Sequence, residues 1–148
     1  MKAAYASLVL SICLSLQVSS ARAFDVISSE LQGNWGTPEQ CSALQEAADS
    51  DQQLLARNAP YSLTANWLFR GDFYCAAQAV VKVTPGPSEE VWRARVLCKE
   101  DAGERPWQID IIHRANELTL SWTSRDPDDP ITPPWVVGPL PRCTGPES

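Results

Sequence analysis

The chain has 148 residues, 44% of them hydrophobic and 20% charged, and a formal net charge of −6. This is a globular composition, which excludes disorder and collagen-like repeats. The acidic balance also excludes a general electrostatic attraction for nucleic acid or anionic membranes.

Residues 1–23 read as a secretory signal. Met1-Lys2 is followed by an apolar run centred on Leu8–Leu14, and Ala21-Arg22-Ala23 supplies an Ala-x-Ala ending. The run is too short to span a bilayer, so no membrane anchor is expected after cleavage. Cys13 sits behind the bulky Ile12 inside this run, unlike a lipid-modified cysteine at a cleavage point. Cleavage after Ala23 leaves a single domain, 24–148, with ten basic and eighteen acidic residues and a net charge of −8. Its expected location is the periplasm or the exterior.

Four cysteines then remain, Cys41, Cys75, Cys98 and Cys143, an even number that predicts two disulfides in an exported domain. Their gaps of 34, 23 and 45 residues contain no Cys-x-x-Cys pair, and His113 is the only histidine. No metal site or other cofactor is expected.

The first predicted element is a helix over about residues 38–48. Thr37 stands at the N-cap, Pro38 at the first helical position and Gln40 where a capping-box partner belongs. Cys41, Leu44 and Ala48 follow at helical spacing, and Asp49–Gln53 ends the run. From Tyr61 the period becomes two, and Tyr61, Leu63, Ala65 and Trp67 predict one half-buried strand. Arg70-Gly71-Asp72 marks a turn, and Tyr74–Val83 predicts the next strand. Thr84–Ser88 breaks the pattern before a third strand over Val91–Lys99.

A hairpin centred between Gly86 and Pro87 makes opposed residue numbers sum to 173. Val81 then faces Trp92, Ala79 faces Ala94, Ala77 faces Val96 and Cys75 faces Cys98. All of these lie on the apolar face, while Gln78 and Lys82 share the other face with Arg93 and Arg95. Four cysteines allow three pairings; this register favours Cys75–Cys98, which leaves Cys41–Cys143. Trp107, Ile109 and Ile111, then Leu118, Leu120 and Trp122, alternate as another hairpin around Ala115-Asn116-Glu117. The tail carries Pro127, Pro130, Pro133, Pro134, Pro139 and Pro141 and is expected to add at most an edge strand near Trp135–Val137. The predicted fold is therefore mainly β: a small antiparallel barrel or sandwich of five or six strands, with one helix near the N-terminus.

Leu31-Gln32-Gly33-Asn34-Trp35 resembles the L-x-G-x-W start of calycin-like barrels, such as lipocalins and the Inh-type protease inhibitors of Gram-negative periplasms. Pro141-Arg142-Cys143 resembles the close of many small exported bacterial proteins. The resemblance covers about a dozen residues. It implies an exported barrel whose glycine permits a tight entry and whose tryptophan closes one end. It carries no activity.

Six tryptophans are many for this length. Trp67, Trp92, Trp107 and Trp122 fall on the apolar phase of their strands, where they either fill a core or line a cavity for one small molecule. Trp135, among prolines, is the candidate exposed anchor for a partner. The acidic run Asp126–Asp129 lacks the glycine and distal glutamate of a calcium loop and reads as a solvated turn, as does Glu100–Glu104. Arg93 and Arg95 read as a solvated face. No motif marks a nucleophile or a partner for His113, so the chain is not expected to be an enzyme. Two readings remain: a protein-binding or inhibitor-like module, and a carrier of a small apolar ligand.

Overall fold

The computed structural model describes residues 26–50, 53–84, 88–126 and 129–144. The signal segment, the centre of the 84–88 break, and Pro127 and Asp128 lie outside these residues.

The helix forms as its capping chemistry dictates. α1 runs Pro38–Ser50. The Gln40 backbone N–H donates to Thr37 Oγ1 at 3.3 Å, and Thr37 N–H donates to Gln40 Oε1 at 2.9 Å. Two otherwise orphaned donors are thereby satisfied. β1, Gly33–Trp35, precedes α1, and a 3-10 turn, Ala56–Asn58, follows it. Then come β2 Tyr61–Leu63, β3 Trp67–Arg70, β4 Phe73–Thr84, β5 Glu90–Glu100, β6 Gly103–Arg114, β7 Glu117–Asp126 and β8 Asp129–Pro141.

The eight strands form one antiparallel meander in sequence order. Its ends meet at one place: Trp35 bridges Arg142, Gly36 N–H donates to the Pro141 carbonyl at 3.0 Å, and Cys143 N–H donates to the Asn34 carbonyl at 2.8 Å. The Cys41–Cys143 disulfide crosses this closure, and Cys75–Cys98 links β4 to β5 inside the sheet. The result is a nearly closed barrel. Eight strands enclose a space that side chains can fill. Leu63, Leu68, the Cys75–Cys98 bridge, Val96, Ile109, Ile111, Leu118 and Leu120 fill its middle.

Eight strands replace the expected five or six for three reasons. Gly33–Trp35, outside the expected strands, pairs with β2 as β1. The expected 61–67 strand is in fact two: Leu63 pairs with Leu68 and Thr64 N–H donates to the Trp67 carbonyl at 2.9 Å, so the chain reverses at 64–67. This reversal also changes the phase, placing Leu68 inside and Trp67 outside. At the other end, the proline-rich tail forms a thirteen-residue strand rather than a short edge piece. Local irregularities absorb the prolines. Trp122 pairs with Trp135 and Ser124 with Pro130, so a single β7 residue faces the four residues 131–134. Likewise, one residue, Thr119, stands against Gly138 and Pro139. Gly138 has φ +123°, and a Cβ there would lie 2.8 Å from the Leu118 carbonyl oxygen, so glycine is required.

The β4–β5 register follows the sum of 173 only from Cys75–Cys98 to Ala77–Val96. A bulge at Gln78 then shifts it by one, pairing Val80 with Ala94 and Lys82 with Trp92. Val80 therefore packs on the core, while Val81 is 56% exposed. Lys82 joins Trp92 on the inner face, contrary to the expected assignment, with its ammonium 5.1 Å from the indole.

Candidate functional site

In an antiparallel meander, the β3–β4, β5–β6 and β7–β8 turns share one end of the barrel, and the β2–β3, β4–β5 and β6–β7 turns share the other. The two ends are built differently.

The second end is plugged by the segment before β1. Ile27 and Leu31 are buried, and Ile27 N–H donates to the Ala65 carbonyl at 2.9 Å. Trp35 is fully buried, and its indole N–H donates to the Leu31 carbonyl at 2.9 Å. The Arg142 guanidinium lies 4.4 Å from the Trp35 ring centre and donates to the Glu30 carbonyl at 2.7 Å. Gly33, at φ +138°, lets the chain pass directly beneath Arg142. His113 meets the Trp35 ring edge-on at 5.7 Å, and its Nδ1 is 3.8 Å from Glu90 Oε2. Glu90 also pairs with Lys82, and this hydrogen bond holds its carboxyl below the usual carboxylate range.

The first end carries a cleft of about 450 Å³ lined by Tyr61, Arg70, Phe73, Glu100, Trp107, Trp122 and Trp135. Trp122 forms its floor: it is fully buried, meets Trp107 edge-on at 5.3 Å and stacks on Trp135 at 5.5 Å. Trp135 stays 52% exposed because β8 has a neighbour on its outer side only near Arg142 among the described residues. Phe73 leans on Trp122 at 6.1 Å.

Two charged groups enter this apolar cleft, and they are differently satisfied. Glu100 accepts from the Trp107 indole N–H at 2.9 Å and pairs with Arg105 at 3.3 Å. Arg70 lies over the Tyr61 ring at 4.9 Å and donates to Tyr61 Oη at 3.3 Å and to the Ala59 carbonyl at 3.5 Å. Its guanidinium forms no ion pair among the described residues. The Trp122 indole N–H likewise meets no acceptor among them. Burial pushes the Tyr61 phenol above its ordinary pKa, with Arg70 pulling in the opposite direction.

The cleft unites three of the five singled-out tryptophans, Trp107, Trp122 and Trp135. Trp92 lies half-buried towards the plugged end, and its indole N–H meets no acceptor among the described residues. Trp67 is on the outer surface, 40% exposed, with its ring beside Phe69 and Tyr74. Sequence reading missed Tyr61, Arg70 and Phe73 as cleft residues. The available signal was phase: Arg70 is two residues from the buried Leu68, and Phe73 two from the buried Cys75. Of the basic pair on β5, Arg93 is bound by Asp110 through two hydrogen bonds of 2.8 and 3.0 Å. The side chains of Asp126 and Asp129 are outside the described set, while Glu100 belongs to the cleft rather than to a solvated turn. No group of three or more metal-ligating side chains occurs among the described residues.

No helix among the described residues is long and apolar enough to cross a membrane, and the two disulfides fit an oxidising compartment. In comparisons with known proteins, no family model, no curated protein and no solved structure matches the chain.

Proposed function

We propose that this protein is an exported, non-enzymatic binding module that captures a protein partner by seating one of its apolar side chains in the tryptophan cleft. The observation that carries this reading is the half-exposed Trp135 stacked on the fully buried Trp122. A large aromatic surface on a rigid floor, rimmed by polar groups, is the usual composition of an interface anchor site. A carrier with a tryptophan-lined interior is favoured less. Trp67 is outside, Trp92 is remote, and the disulfide and aliphatic side chains occupy the middle of the barrel.

The test is capture from an envelope extract of the exporting cell by the disulfide-bonded protein and by its Trp135→Ala form. Capture by the first alone, with circular dichroism and melting unchanged, supports the reading. Equal capture by both overturns it. The intact mass of the same preparation checks cleavage after Ala23 and the loss of four hydrogens for two disulfides.

A further inference from the structure

The cleft contains more information than its apolar walls. A guanidinium desolvated against aromatic rings and lacking a carboxylate is costly, because its donors lose water without full replacement. Arg70 approaches this position: it is part-buried over the Tyr61 ring and, among the described residues, is held only by two long hydrogen bonds to the neutral Tyr61 and Ala59. Glu100, the one acid of the lining among the described residues, is engaged by Trp107 and Arg105. The polar capacity left over in the described lining is therefore that of a donor, the Arg70 guanidinium. A planar guanidinium matches a carboxylate in two-pronged geometry.

Size narrows the choice further. With Trp122 and the packed aliphatic layer beneath it, the cleft has no depth for a long hydrocarbon tail. A space of about 450 Å³ takes one large residue rather than a helix or a strand. The apolar body and the carboxylate must then belong to the same residue, and in a polypeptide only the C-terminal residue offers a large apolar side chain beside a free carboxylate. Resting on the reading of the cleft as a partner site, we infer that it binds the C-terminal residue of a partner chain, apolar or aromatic, with its carboxylate on Arg70 and its side chain between Trp107 and Trp135. Terminal-carboxylate capture is a recurrent mode of peptide recognition.

The experiment uses one hexapeptide ending in phenylalanine, prepared as the free acid and as the C-terminal amide, titrated against the disulfide-bonded protein by tryptophan fluorescence. The expected result is that the acid binds at least tenfold more tightly than the amide. Arg70→Gln should bring the acid to the level of the amide, and Arg70→Lys should retain part of the difference. The acid-to-amide ratio is read on the unaltered protein, so it stands even if an Arg70 variant unfolds. Equal binding of acid and amide would overturn the carboxylate assignment while leaving the cleft as a partner site. Phenylacetate binding as tightly as the peptide acid would overturn the assignment to a polypeptide C-terminus. Binding of neither peptide, together with partner capture that survives Trp135→Ala, would instead remove the cleft from the function altogether.

Discussion

The two ends of the barrel use the same kinds of side chain to opposite effect. At the plugged end, Trp35 is buried, its N–H is bonded to Leu31, and Arg142 covers its ring while bonding to Glu30. At the cleft, Trp122 is equally buried but its N–H meets no acceptor among the described residues, and among them Arg70 covers Tyr61 without an anionic partner. The difference lies in what is laid across each end. The segment 26–32 supplies backbone carbonyls to the first, and no described segment does so for the second. An arginine over an aromatic ring thus closes the fold in one place and lines a cleft in the other.

Substitution of Trp35 should produce the largest effect. Trp35→Ala removes a fully buried indole and the surface beneath Arg142, and should cost about 4 kcal/mol in urea denaturation. A loss below about 1 kcal/mol would show that the plug is not integral to the core. Next is the covalent closure of the same end. Replacing both Cys41 and Cys143 by serine frees a sequence separation of 102 residues and should cost about 3–4 kcal/mol. Chemical denaturation with Cys75–Cys98 retained would measure it. At the cleft, Trp135→Ala should cost only about 1 kcal/mol, since the side chain is half-exposed and contributes mainly its stack on Trp122. A melting shift as large as that of Trp35→Ala would abolish the distinction between the ends.

The smallest expected effect is alkaline. Folded Tyr61 holds its phenolic proton to higher pH than the unfolded chain does. The stability from this neutral form is complete below the unfolded value of about 10 and is lost as pH rises through the raised folded value. Denaturation midpoints should therefore fall above pH 10, and less so in Tyr61→Phe. An identical fall in both proteins would place its cause elsewhere.

Much of the fold was legible because its signals are local. The Thr37/Gln40 capping box places α1, and period-two alternation places β4 to β7. The coincidence of apolar phase around Cys75 and Cys98 is enough to pair all four cysteines as they are found. The same phase argument fails beyond Gln78, because a bulge inserts one residue without any glycine or proline to mark it. Val80→Asp and Val81→Asp would expose this error directly: the first should destabilise by about 2 kcal/mol, and the second, already solvated, by less than about 0.5 kcal/mol.

By itself, the sequence determined the helix, the strand segments of β4 to β7, the apolar face of β5, β6 and β7, and that four cysteines form two bridges. These follow from side-chain periodicity and from chemistry within a few residues. Only the tertiary structure decided that Trp67 faces outward, that the proline-rich tail completes the barrel, and that Arg70 from β3 lines one cleft with Trp107, Trp122 and Trp135 from β6, β7 and β8. Those outcomes depend on a two-residue reversal at 65–66, on irregularities spread over β7 and β8, and on closure of the sheet. Each brings together residues far apart in the chain, and no local pattern encodes such distances.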